Sequence, residues 1–338
     1  MYRFSLQKSC KCFIKTALLF VGVYACHSHA FFIENGEAQN DERLSREFVS
    51  FPAATKNTPY SEVSALNYNQ ADLKLVYSDE HADLYSSLWF SRDSATEKEK
   101  PLLVFIHGGC WLSAFDMSHS YAMATGLAQA GYTVLSLEYR RAGNGGEWPV
   151  ALNDLAKGLT HALTALSDGS QTASSRTKVD NNTAESANNP QINTRHVVIM
   201  GHSAGGHLAA MLALKLEDIL PTTTERVDIV SLAGIMDIKQ YSFGNNSCQS
   251  ATPSFMQGSL SERPQAYYLA NPQSYTIQHP KIGKFLLLQG SADSIVPSAQ
   301  AKHVNAQVNM FEGVGHFDWI HPGSFAFKQL LLALEKAD

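Results

Sequence analysis

The sequence predicts an α/β fold, with a mostly parallel central sheet, helices on both faces and a lid insertion. Three observations carry this expectation. Strand-like and helix-like segments alternate from Leu73 onward, the pattern of a parallel sheet whose crossovers are helices. The strand-like run Leu102 to His107 is apolar through Ile106, as a strand buried on both faces must be. Third, Gly201-His202-Ser203-Ala204-Gly205 stands between a strand-like and a helix-like segment, where such folds turn sharply from sheet to helix.

Taken in order, the chain opens with a leader. Arg3, Lys8, Lys11 and Lys15 precede the apolar run Thr16 to Cys26, and Ser28-His29-Ala30 follows. This is the pattern of a secretory signal peptide spanning residues 1–30, cleaved after Ala30. Its apolar run is well short of the roughly 20 residues a membrane span needs. A competing reading takes Val23-Tyr24-Ala25-Cys26 as a lipobox with Cys26 lipidated, although Tyr24 is bulky for one. Either way the chain is expected to be exported, periplasmic or secreted.

Residues 31–71 are polar with scattered aromatics and no clean period, and read as an arm on the catalytic domain at 72–338. Strands are expected at Leu73–Ser78, Leu84–Phe90 and Leu102–His107, rich in Leu, Val, Ile and Phe between charged turns. A helix near Ser118–Ala130, a strand at Thr133–Leu137 and a helix at Pro149–Leu166 follow. Residues 167–194 are dominated by Ser, Thr, Asn, Asp and Gln, carry no core, and read as a flexible polar loop. Strand His196–Met200, helix Ala204–Lys215 and strand Val227–Leu232 resume the alternation. Residues 237–280, with aromatics and Pro, read as the lid-like insertion. Strand Phe285–Gln289, a short helix near Ser298–Val304, strand Gln307–Phe311 and helix Gly323–Glu335 close the domain.

Chemistry concentrates at the ends of these strands. A sharp strand-to-helix turn at Gly201–Gly205 demands small flanking residues and projects Ser203 from the sheet, which makes Ser203 the candidate nucleophile. A serine hydroxyl needs an imidazole as base and a carboxylate to orient it, in the chain order Ser, acid, His. Asp293, after strand Phe285–Gln289, is the candidate acid, and His316, after strand Gln307–Phe311, the candidate base. Asp237 and Asp318 are rivals for the acid and His321 for the base, while His202 and His207 read as packing residues. His107-Gly108-Gly109-Cys110-Trp111 follows the third strand. Its backbone N–H groups at Gly109 and Cys110, with that of Ala204, are the candidate oxyanion hole, each donor worth about 3–4 kcal/mol in catalysis.

Of the five cysteines, only Cys110 and Cys248 survive cleavage. An oxidising compartment then suggests one disulfide between them, two free thiols being the alternative. No His or Cys spacing suits a metal, and neither metal nor other cofactor is expected. A net charge of −5, from 26 basic and 31 acidic residues, gives no positive field for nucleic acid.

His107 to Trp111 with Asp116, Glu138-Tyr139-Arg140-Arg141, Trp148-Pro149 and Gly201 to Leu208 together resemble the esterase/lipase-related branch of the α/β-hydrolases, which includes kynurenine formamidase-like and bacterial feruloyl-esterase-like proteins. The resemblance runs from about Leu73 to the C-terminus. It implies the α/β-hydrolase fold, hydrolysis of a small-molecule ester through an acyl-enzyme, and support of the active-site loop by Tyr139 and Arg140. Cys110 departs from the pattern, standing where the hormone-sensitive-lipase group has a third glycine. Its side chain is then free to tie the oxyanion loop to Cys248 in the lid. Arylformamidase, amidase or peptidase activity would use the same triad, and a non-catalytic binding module is the reading from another class.

Overall fold

The computed structural model describes residues 47–93, 100–167, 176–177 and 192–335. The leader, Cys26, the first part of the arm and most of the polar loop at 167–194 lie outside the described residues.

The sheet is built from β1 (Leu73–Val76), β2 (Tyr85–Trp89), β3 (Leu102–Ile106), β4 (Val134–Leu137), β5 (Arg176–Thr177), β6 (His196–His202), β7 (Arg226–Leu232), β8 (Ile282–Gly290) and β9 (Gln307–Phe311). They lie in the order β5-β1-β2-β4-β3-β6-β7-β8-β9. From β4 to β9 all neighbours are parallel, and β5, β1 and β2 add antiparallel pairings at one edge. The short β5 falls within the span expected to be loop, because its backbone completes the edge of β1.

β3 is the clearest case of sequence dictating place. All five of its residues are buried, because it pairs with β4 on one side and β6 on the other while helices cover both faces. Val104 and Ile106 face one apolar layer and Leu103 and Phe105 the other, as the two-residue strand period requires.

The crossover helices are α2 (Tyr121–Gln129), α3 (Val150–Ser167), α4 (Ala204–Leu212) and, at the C-terminal end, α9 (Phe325–Glu335). The long helix expected at Ala204–Lys215 breaks after Leu212 into a 3-10 turn, and α5 (Leu216–Ile219) continues it. The short helix expected near Ser298–Val304 is a single 3-10 turn at Ser298–Gln300.

Two segments frame the site. The arm carries α1 (Tyr60–Ser64). The insertion between β7 and β8 carries α6 (Ile238–Tyr241), α7 (Ser247–Met256) and α8 (Pro264–Leu269). A capping box starts α7: the Asn246 side chain accepts from the Gln249 N–H at 2.9 Å and the Gln249 side chain accepts from the Asn246 N–H at 3.1 Å. Tyr241, Cys248, Phe255 and Tyr267 of this insertion are buried and join the apolar layer under α3 and α4. Among the described residues no helix is long and apolar enough to cross a membrane.

Candidate active site

Ser203 occupies the one-residue turn between β6 and α4, with φ 57° and ψ −121°. A left-handed φ at a non-glycine residue costs on the order of 1–3 kcal/mol and persists only where neighbours over-determine it. Here the Ser203 N–H donates to the Leu232 carbonyl at 2.9 Å, and the Ser203 carbonyl accepts from Gly206 and His207 at 2.9 and 3.2 Å. The flanking glycines are sterically obligatory. A Cβ on Gly201 would fall 2.1 Å from the Gly205 carbonyl oxygen, and one on Gly205 2.1 Å from that of Ile106.

Asp293 and His316 sit on the loops after β8 and β9. Oδ2 of Asp293 accepts from His316 Nδ1 at 2.7 Å and from Gln289 Nε2 at 3.3 Å. Oδ1 accepts from the backbone N–H groups of Ile295 and Val296 at 2.9 and 2.8 Å. The carboxylate is fully buried and held from both sides. Because Nδ1 donates to it, Nε2 of His316 is left with the lone pair that can take a proton.

His202, next to Ser203 in sequence, reaches His316 as well. Its Nε2 donates to the His316 carbonyl at 3.0 Å and its ring lies 4.6 Å from the His316 ring. Burial, then the charge His316 can carry, push the His202 pKa well below its ordinary value, so the His202 ring is neutral. The Asp293–His316 pair and Ser203 thus stand at the C-terminal ends of β8, β9 and β6, linked through His202, the residue before Ser203.

The glycine loop after β3 closes onto the elbow: a Cβ on Gly108 would stand 3.1 Å from Ser203 Cβ and 2.8 Å from the His202 carbonyl oxygen. Gly109, Cys110 and Trp111 have φ of 105°, 54° and 60°. Among the described residues, no group accepts from the backbone N–H of Gly109, Cys110 or Ala204. Three backbone donors are thus left without a protein acceptor. Cys110 is bonded to Cys248 in α7, with their Cα atoms 4.8 Å apart.

Behind the loop lies a buried polar cluster. His107 Nε2 bonds Glu138 Oε1 at 2.8 Å, the Met117 N–H donates to Glu138 Oε2 at 2.9 Å, and Arg141 bridges Glu138 and Asp83. The Tyr139 hydroxyl donates to the His107 carbonyl at 2.9 Å. Burial pushes the Glu138 carboxyl up, but His107 and Arg141 outweigh it and hold it below the usual carboxylate range. Arg140 instead pairs with Asp154 on α3, at 2.7 Å. Tyr139 thus reaches the loop directly, whereas Arg140 braces the strand-to-helix connection behind it.

The rival residues have other partners. Asp237 caps α6 through the Gln240 N–H at 3.1 Å. Asp318 accepts from the Gly315 N–H at 2.6 Å and the Thr58 N–H at 2.9 Å, tying the His316 loop to the arm. His321 accepts from the Gly323 N–H at 3.0 Å and faces Glu62 at 3.4 Å. His207 accepts from Trp111 Nε1 at 3.3 Å and donates from Nε2 to the Ala270 carbonyl at 2.7 Å. Burial lowers its pKa to about 4. Sequence reasoning missed Gln289 and His202 as partners of Asp293 and His316. The only available signal was their position, one at the end of β8 and one beside the nucleophile. Among the described residues no group of three or more His, Cys, Asp or Glu could hold a metal ion.

Esterase LipC of Mycobacterium tuberculosis is 25% identical over 265 residues, covering 75% of this chain and 59% of that protein. The chain therefore spans little more than half of that relative's length. Kynurenine formamidase of Drosophila melanogaster is 27% identical over 236 residues, covering 67% of this chain and 69% of that one. Among solved structures, Esterase B from Lactobacillus Rhamnosis (HN001) superposes with a TM-score of 0.62 at 17% identity, over 82% of this chain and 89% of that one. This likeness establishes the α/β-hydrolase fold. The BD-FAE family model matches residues 90–165 and 182–308, well over half of the sequence and both strand ends that carry the glycine loop and the elbow. The chain belongs to the BD-FAE family.

Proposed function

We propose that this chain is a serine hydrolase of small carboxylic esters, working through Ser203, His316 and Asp293 in an exported, oxidising compartment. One observation carries the reading. A hydrogen-bonded Asp293–His316 pair packs on His202, the residue before the elbow serine, and that serine packs against a loop with unpartnered backbone N–H groups. Similarity to an esterase supports the choice of an ester substrate. The Cys110–Cys248 bond and the leader-like first thirty residues support export.

In this mechanism Ser203 Oγ attacks the ester carbonyl as His316 Nε2 takes its proton. The N–H groups of Gly109, Cys110 and Ala204 hold the oxyanion, and Asp293 stabilises the imidazolium. His316 then protonates the departing alkoxide, leaving an acyl-Ser203. Water, deprotonated by His316, attacks that acyl group, and the returned proton releases Ser203 and the carboxylic acid. A neutral His202 suits the scheme, because a second cation at that distance would disfavour the imidazolium.

The test is hydrolysis of p-nitrophenyl esters from acetate to decanoate, with feruloyl methyl ester, by the wild type and Ser203→Ala. The expected result is a loss in kcat on the order of a millionfold, with a fluorophosphonate labelling Ser203 in the wild type alone. Unchanged activity in Ser203→Ala, or a label elsewhere, would overturn the reading. The kynurenine formamidase similarity favours a second substrate class, formamides, so N-formylkynurenine belongs in the same panel. The acyl preference names the class.

A further inference from the structure

We propose that Asn246 and Tyr241, both in the insertion between β7 and β8, are positioning residues that orient the Asp293 carboxylate through the backbone of the loop after β8. This rests on the ester-hydrolase reading above, in which Asp293 orients His316.

The two peptide units that hold Asp293 are themselves held. Oδ1 of Asp293 takes the N–H groups of Ile295 and Val296, at 2.9 and 2.8 Å. These N–H groups belong to the peptides whose carbonyls are those of Ser294 and Ile295. In a planar trans peptide the carbonyl and the N–H point to opposite edges, so both carbonyls face away from the carboxylate. There they meet the insertion. Asn246 Nδ2 donates to the Ile295 carbonyl at 2.7 Å and to the Ser294 carbonyl at 3.3 Å, and the Tyr241 hydroxyl donates to the Ile295 carbonyl at 3.0 Å. Each peptide is fixed at both edges. Hydrogen bonds in such a row polarise one another, so donors at the carbonyl edge strengthen the N–H groups that Asp293 receives.

The partners are side chains of fixed position. Ser294 is exposed and Ile295 half-buried, where water ordinarily satisfies loop carbonyls. Tyr241 is instead 1% exposed and packed in the core layer. Burial, then the Asp293 charge, push its hydroxyl above the ordinary phenol range, so it stays a donor. Asn246 is the N-cap of α7, and its Oδ1 is taken by the Gln249 N–H, which leaves Nδ2 for the loop. From the sheet side, Gln289 Nε2 donates to the Val296 carbonyl at 3.0 Å, so the turn is gripped from two directions. Two residues beyond Asn246, Cys248 bonds to Cys110 of the glycine loop. The start of α7 therefore ties down both loops that the proposed chemistry uses.

The experiment measures kcat and KM on p-nitrophenyl acetate, and the rate at which a fluorophosphonate labels Ser203. The variants are Tyr241→Phe, Asn246→Ser and the two combined, each with Asp293 intact and with Asp293→Ala. Phenylalanine keeps the ring and loses only the hydroxyl. Serine caps a helix about as well as asparagine but is too short to reach the Ile295 carbonyl, so α7 keeps its start. With Asp293 intact, each single variant is expected to lose about three- to tenfold in kcat, the net worth of one hydrogen bond. The combined variant should lose more than either, with KM unchanged. In Asp293→Ala no carboxylate is left to orient, so the same substitutions should change turnover and labelling by less than about twofold, the non-additivity of residues that act as a unit. Labelling needs one attack rather than turnover, so it reads the slow background too. Losses of equal size with and without Asp293 would make the two residues props of the fold and overturn the proposal. A loss confined to KM overturns it equally. A wild type that neither labels nor hydrolyses any ester refutes the esterase reading and this inference with it. A wild type that labels and hydrolyses, with kcat unmoved in the combined variant, refutes this inference alone.

Discussion

Replacing Asp293 by Asn tests the catalytic geometry most directly, because the structure dictates which way the new amide must face. Oδ1 accepts two backbone N–H groups, from Ile295 and Val296. The amide oxygen must take that position, and the NH2 then points at His316 Nδ1. Turning the amide over would aim NH2 at both N–H groups and leave two buried donors unsatisfied, at about 1–3 kcal/mol each, against the single, longer Gln289 Nε2 contact at 3.3 Å that the favoured orientation gives up. Facing an NH2, Nδ1 of His316 can only accept, so the ring proton moves to Nε2 and the base is lost. The 2–6 kcal/mol that resists the flip corresponds to between about thirtyfold and about twenty-thousandfold in rate at 1.4 kcal/mol per decade. A reversed tautomer in a serine triad costs about ten-thousandfold in kcat, which is near the upper end. The assay is steady-state p-nitrophenyl acetate hydrolysis at pH 7.5, with the loss expected in kcat and KM little changed. Asp237→Asn is the control: asparagine caps a helix as well as aspartate, so activity should stay within about threefold. Asp293→Asn within tenfold of wild type, or a collapse in Asp237→Asn instead, would refute the reasoning.

Two further predictions concern stability. Glu138→Ala leaves Arg141 and His107 buried without their carboxylate, and should lower unfolding free energy by about 3–5 kcal/mol, read from denaturant midpoints. A loss under 1 kcal/mol would mean the cluster is not the clamp of the glycine loop. His119, His202 and His207 are all held neutral by burial, with His119 and His207 lowered to about 4. The unfolded chain, with histidines near 6.5, binds more protons between those values, so these three groups leave stability untouched above about pH 7 and reduce it as pH falls toward 4. Three groups give a limiting slope of about 4 kcal/mol per pH unit near pH 5. Urea midpoints that stay level from pH 7 to pH 5 would contradict neutral burial of these rings.

What the sequence made legible and what it hid divide along a physical line. Strand ends could be read because a buried parallel strand is a continuous apolar run, and such folds place chemistry where those runs stop. That logic singled out Ser203, Asp293, His316 and the glycine loop as candidates from chain order alone. The arm resisted because its meaning lies in contacts with no local signature: Thr58 meets Asp318 across 260 residues, and Tyr60 has aromatic neighbours from two distant loops. Arg140 and Arg141 stand side by side yet serve different partners, Asp154 for one and Glu138 with Asp83 for the other, a distinction only the fold makes. The helices of the 237–280 insertion were equally hidden, since each is short and its apolar residues follow the shape of the core below.

The departure at Cys110 gains a reason once the backbone is known. Glycine at this point of the loop would take the left-handed conformation freely, whereas Cys110 and Trp111 both hold it, at φ 54° and 60°. Each carries a cost on the order of 1–3 kcal/mol, so each needs an anchor that glycine would not. Cys110 has a covalent one in Cys248. Trp111 lies stacked on Phe255, with centroids 5.0 Å apart, and donates from its indole to His207, while its carbonyl accepts from the Ala142 N–H at 2.8 Å. Both Cys248 and Phe255 belong to α7, and His207 to the helix that begins at the nucleophile. The glycine loop, the proposed oxyanion hole, is therefore held in shape by the insertion on one side and the elbow helix on the other. Donors fixed before substrate arrives need no reorganisation when negative charge develops, and that preorganisation is where such donors contribute most to rate.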